Sequence, residues 1–156
     1  MTAAPRPIVN AATVDVVPET DVPPGFRSRY RQLRPMLGGE MLGATVYELD
    51  PGERSSPYHY ELGNEECLLV LAGTPTLRHP EGRDELEVGD LVVFPEGPDG
   101  AHQLINESAA VARVLILSTM REPCGYAYPD SGKLSTLGGV FRLADAVDYW
   151  DGESAG

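Results

Sequence analysis

The sequence predicts an all-β domain, a barrel built from short antiparallel strands. Two observations carry this. Turn signals made of Gly, Pro and Asp break the chain at intervals of about 8 to 12 residues, the spacing of sandwiches and barrels. The stretches between them are β-branched or alternating, and no long run repeats at the helical period. With 156 residues, 42% of them hydrophobic, the chain can build one domain around one core.

Taken in order, residues 1–25 hold Pro5, Pro7, Pro18, Pro23 and Pro24 without a helical period. They read as an extended arm, with room for a short edge strand in "IVNAATVDVV". "MLGATVYELDPGE" alternates and closes on Pro51-Gly52. "EECLLVLAGTP" is apolar and stops at Gly73, and Cys67 within it is expected to be a small buried hydrophobe. "TLRHPEGRDELEVGD" reads as a hairpin about Pro80-Glu81-Gly82, which makes His79 a turn residue rather than a ligand. "DLVVFPEGPDGAHQLIN" is strand, Gly/Pro-rich loop, strand, and "AAVARVLILST" is another strand. Beyond it lie Cys124 in a loop, the turn "YPDSGK", and "LADAVDYW", long enough for one or two helical turns. The expected organisation is an arm over 1–25, a barrel over 26–122, and an extension over 123–156 that packs on the barrel.

Composition narrows the partners. A net charge of −12 argues against nucleic acid and against anionic membrane surfaces, since both need a basic patch. No apolar run reaches the roughly 18 residues of a membrane span, and the first residues lack the apolar centre of a secretory signal. Two cysteines make no disulfide framework, so a reduced, cytoplasmic setting is expected.

The chemistry concentrates in "PYHYELGNEECLLVLAG", residues 57 to 73. On an extended segment His59 and Glu61 share a face, with backbones roughly 6 to 7 Å apart, a workable span for two ligands of one ion. Tyr58 and Tyr60 then face away. Glu66 opens the next strand in register with the inward Leu68 and Val70, and an inward carboxylate is costly unless paired or bound to metal. Glu65 falls on the opposite, solvated face. By themselves these groups suit a metal or an ordinary strand mouth. His102, at the start of a further strand, supplies a fourth candidate ligand.

These two stretches resemble the paired motifs of the cupin superfamily. His59, Glu66 and Gly73 take the places of the first motif, with four residues between positions 61 and 66 and six between 66 and 73. Gly52 precedes His59 by one residue more than is usual. Gly89, Pro95, Gly97, His102 and Asn106 take the places of the second motif, with four residues between Gly97 and His102 where the family has two. The family usually has a histidine at position 61, and this chain has Glu61. The resemblance covers roughly residues 40 to 118 and implies a double-stranded β-helix, or jelly-roll barrel.

The resemblance further implies one divalent ion, Zn, Fe, Mn or Ni, held at the barrel mouth by His59, Glu61, Glu66 and His102. It implies a small-molecule ligand in the mouth, and with the arm it implies a homodimer. A small metalloenzyme of isomerase, lyase or dioxygenase type is the first functional expectation. The alternatives are a non-catalytic protein binding a sugar-like or carboxylate ligand, and a structural barrel with a vestigial site. Tyr128 and Lys133 are secondary candidates for a lid.

Overall fold

The computed structural model describes residues 7–154. Residues 1–6 of the expected arm and 155–156 of the expected extension lie outside the described residues. The described chain is built from strands, as the sequence predicts. A six-stranded sheet has the order β1-β2-β3-β10-β5-β8. Its members are β1 (Val17–Pro18), β2 (Ser28–Gln32), β3 (Leu42–Leu49), β5 (Glu66–Ala72), β8 (Leu91–Phe94) and β10 (Ala112–Thr119). A four-stranded sheet pairs β4 (Tyr60–Leu62) with β11 (Gly125–Tyr128), then β12 (Lys133–Thr136) and β13 (Gly139–Arg142). A three-stranded sheet holds β6 (Thr76–His79) between β7 (Gly82–Glu85) and β9 (Gln103–Ile105). All pairings are antiparallel.

The two smaller sheets meet at one place. His59, just before β4, and His102, just before β9, form an isolated antiparallel bridge. His59 N donates to the His102 carbonyl at 3.1 Å and His102 N to the His59 carbonyl at 2.8 Å. This seam closes the second wall of the barrel, so both histidines are fixed by backbone as well as by packing.

Alternation explains the core. Leu68 and Val70 of β5 point inward and are fully buried. They meet Leu49, Leu77, Leu86, Phe94, Leu104 and Val114 between the sheets. Cys67 lies one residue out of phase with them and is half-buried on the outer face, not in the core as expected. β5 ends at Gly73, where φ is 76° and a Cβ would stand 2.7 Å from the Val111 carbonyl oxygen. Only glycine fits that corner. Asn106 is fully buried. Its Nδ2 donates to the Leu49 and Ala110 carbonyls at 2.8 and 2.7 Å, while its Oδ1 accepts from Ser108. This motif residue therefore ties loop to sheet and stands apart from the metal chemistry.

At the N-terminal side, the Arg113 guanidinium donates to the Ala11 and Val14 carbonyls and pairs with Glu48. The segment before β1 is thereby held near the outer face of β3 and β10. At the C-terminal side, β11 pairs with β4 directly and so forms part of the barrel wall. "LADAVDYW" contributes one 3₁₀ turn, Leu143–Asp145, instead of a helix. Its apolar residues Val147, Tyr149 and Trp150 are exposed and give a helix no face to pack.

Candidate metal centre

The core fills one end of the barrel, and a cavity of about 730 Å³ opens at the other. His59, Glu61, Glu66 and His102 all line it. Three of these come close together: His59, Glu66 and His102 each offer a ligand atom, and these atoms lie within 4.8 Å of one another. Glu61 lines the same cavity but stands outside that group. Its carboxylate accepts from Asn64 Nδ2 at 3.4 Å, and the Asn64 amide oxygen is in turn held by the Arg121 backbone N–H at 2.8 Å.

The histidines are prepared as neutral ligands. His59 Nδ1 lies 3.0 Å from the Pro57 carbonyl oxygen, and His102 Nδ1 lies 2.9 Å from that of Gly100. A carbonyl only accepts, so Nδ1 carries the proton in each ring and Nε2 keeps its lone pair. His102 is further held by Phe94, stacked on it at 3.7 Å with planes 10° apart. Burial pushes the His102 imidazole down to about 4, and the nearby His59 adds to this. Burial lowers His59 as well.

That leaves a mismatch that an ion would relieve. His102 Nε2 lies 3.4 Å from Glu66 Oε2. With the imidazole neutral, this contact sets a lone pair against a carboxylate unless a proton or a cation lies between them. Burial, with help from Glu61, pushes the Glu66 carboxyl up to about 8, so a proton occupies that position at neutral pH. Burial also pushes Glu61 up to about 6. Two free imidazole nitrogens beside a carboxylate form a donor set that suits a divalent transition ion, and the backbone carbonyls behind the rings orient the ligands.

Two residues that the sequence reading passed over or ranked low complete the wall. Tyr126 is the cross-strand partner of Glu61. Its ring centroid lies 6.0 Å from that of His59, and that of Tyr128 lies 6.1 Å away. Burial raises both phenols above their ordinary value, with Glu61 reinforcing the effect. Tyr126 was legible by alternation from Tyr128, two residues on along the same strand. Lys133 sits 5.3 Å from the Tyr128 ring centroid and does not line the cavity. Tyr58, facing away as expected, packs under the Arg78 guanidinium at 3.9 Å.

Comparison with known proteins settles the family. The cupin domain family model matches residues 45–118. The chain belongs to the cupin superfamily. No curated protein sequence matches it significantly. Among solved structures, a provisionally assigned sugar phosphate isomerase from Acidithiobacillus ferrooxidans superposes with a TM-score of 0.80 at 22% identity, covering 92% of this cupin and 96% of that chain. A cupin-superfamily sugar phosphate isomerase from Silicibacter pomeroyi gives 0.76 at 22% identity over 93% and 98%. The polyketide cyclase RemF from Streptomyces resistomycificus gives 0.59 at 21% identity over 83% and 84%. At these identities the likeness is one of fold. No helix among the described residues is long and apolar enough to cross a membrane.

Proposed function

We propose that this cupin is a metalloenzyme that holds one divalent ion on His59, Glu66 and His102 and transfers a proton on a small organic molecule. The observation that carries the reading is the pair of buried neutral imidazoles aimed, with Glu66, into one cavity. When bound, the ion supplies Lewis-acid polarisation of a substrate oxygen. The chain's own groups supply the rest. Glu61, with its carboxyl near 6, is placed to accept and return a proton, and Asn64 holds it in position. The Tyr126 phenol stays protonated and donates a hydrogen bond to substrate oxygen. Support for isomerase-type chemistry comes from the two sugar phosphate isomerases that match nearly the whole chain, since isomerisation needs such an acid–base pair beside a polarised oxygen.

The test is a pair of variants at position 61, with metal content measured after purification without added metal. Wild type is expected to carry about one ion per chain. Glu61→Ala is expected to keep metal affinity within about tenfold while losing proton-exchange activity by two to four orders of magnitude. Glu61→His adds an imidazole beside the close group and should raise the preference for Zn or Ni over Mn. Protein that carries no ion and takes none up overturns the metal reading. Unchanged selectivity in Glu61→His together with unchanged activity in Glu61→Ala removes Glu61 from the site.

A homodimer is part of the same proposal. Leu91, Val93 and Leu117 form an exposed apolar patch on the outer face of the six-stranded sheet, the face on which Arg113 also holds the arm. Light scattering should give twice the chain mass at micromolar concentration, and a monomer mass would remove the dimer.

A further inference from the structure

The cavity has one cation among its described lining residues, Arg34, at the first position of the short helix α1 (Arg34–Leu37). Four of the ten described arginines, Arg29, Arg78, Arg83 and Arg113, are paired with a carboxylate. Arg34 holds none among the described residues. Its Nε donates to the Gly39 carbonyl at 3.0 Å, which fixes the side chain and leaves both terminal nitrogens free to donate.

The wall around it consists largely of backbone. Gly38, Gly39 and Gly43 line this end of the cavity. A Cβ at Gly43 would lie 2.8 Å from Met120 Sδ, so a side chain there would have to displace the Met120 side chain that also lines the cavity. The helix start follows β2, whose terminal Gln32 also lines the cavity. The sheet register gives the backbone distance from this wall to the strand of Glu66: Gly43 pairs with Ser118, and Ser118 pairs with Glu66. Two strand spacings separate Gly43 from Glu66, roughly 10 Å. That is the span of a short carbon chain and not of a single functional group. The triad end carries two carboxylic groups and no Lys or Arg among the described lining residues, so the two ends of the cavity differ in charge.

We propose that Arg34 is an anion subsite of this cavity, and that the molecule bound there is a short hydroxylated chain with an anionic group, phosphate or carboxylate, at one end. The guanidinium takes the anion through its two free nitrogens, the geometry that suits a forked oxyanion. The hydroxyl or carbonyl end then reaches the triad. This assignment rests on the cavity being the reaction site, and it adds the feature of the ligand that the triad does not select.

The experiment is calorimetric titration of the full chain, zinc-loaded and metal-stripped, as wild type, Arg34→Gln and Arg34→Lys. The probes are D-ribose 5-phosphate, D-ribonate, D-ribose and inorganic phosphate. In wild type at least one charged sugar should bind more tightly than ribose. Arg34→Gln should weaken it about ten- to a hundredfold, the effect of losing a charge-assisted hydrogen bond, and Arg34→Lys should restore part of the loss. Ribose binding and zinc content should not change, which separates a lost subsite from a damaged fold. Preference for the phosphate over the ribonate, or the reverse, identifies the anion. Charged probes that bind no better than ribose, or that bind Arg34→Gln as they bind wild type, overturn the proposal. If zinc is never taken up, the metal reading fails alone, and the subsite still stands where phosphate binding to stripped protein is lost in Arg34→Gln.

Discussion

Replacing His102 with alanine is expected to strip the cupin of its metal while the barrel still folds. The ring is one of three donors in the close group, and even partners behind a ligand typically cost 10- to 100-fold in affinity, so loss of a direct ligand should cost on the order of a hundredfold or more. Phe94 loses its stacked neighbour, and a stability loss of about 1 to 3 kcal/mol follows from the small cavity left behind. The backbone bridge to His59 does not depend on the side chain and survives. His79→Ala is the control, because that histidine sits on the β6–β7 hairpin against Glu81 and Asp84. Metal content by elemental analysis and melting by circular dichroism read the two effects. His102→Ala that retains the wild-type stoichiometry would remove His102 from the ligand set.

The same site sets a pH dependence. In the folded, metal-free protein Glu66 holds a proton up to about pH 8, against an ordinary 4.5. An incoming ion must displace that proton, so metal affinity in wild type should rise with pH and level off above about 8, with proton release falling over the same window. Linkage gives the sign for the stripped protein. Between the ordinary 4.5 and about 8 the folded chain binds a proton that the unfolded chain has lost, so this carboxyl's stabilising contribution declines as pH rises. His102 opposes it only below its ordinary 6.5, so the net fall should show between about 6.5 and 8.

Much of this architecture was legible in the sequence because period-2 alternation and turn residues are local signals. The inward face of Leu68 and Val70 placed Glu66 in the cavity correctly, and motif spacing brought His59 and His102 to one seam. The relation of Glu61 to the other three was not legible. Strand alternation gives a face, whereas the tether from Glu61 through Asn64 to the Arg121 backbone runs between segments far apart in the chain. Arg34 was also invisible, since nothing in "RQLRPMLGG" indicates that a short helix brings it to the barrel mouth. Cys67 shows the limit of reading an apolar run as wholly buried: the exposed outer face of the six-stranded sheet is apolar too.

Gly100→Ala is expected to damage metal binding without touching a ligand. Gly100 ends the 3₁₀ turn Pro98–Gly100, in the loop that is two residues longer than the family pattern. A Cβ built there would lie 1.8 Å from the Pro95 carbonyl oxygen, inside any permitted contact, so the loop must move. That loop holds both halves of the site. The Gly100 carbonyl accepts from His102 Nδ1, and the Gly97 backbone N–H donates to the Glu61 carbonyl at 3.0 Å. Shifting the loop therefore loosens the tautomer lock on His102 and the strand that carries Glu61. Metal affinity should fall tenfold or more, as for loss of a partner behind a ligand, and stability by about 1 to 3 kcal/mol. Gly89→Ala separates the two effects. Its φ is 97°, so alanine is strained there by about 1 to 3 kcal/mol, but a Cβ meets nothing within 4 Å and the turn lies outside the cavity lining. Gly89→Ala should melt earlier and bind metal as wild type does, whereas Gly100→Ala should lose both. Wild-type metal affinity in Gly100→Ala would mean that the carbonyl behind His102 does not orient the ligand.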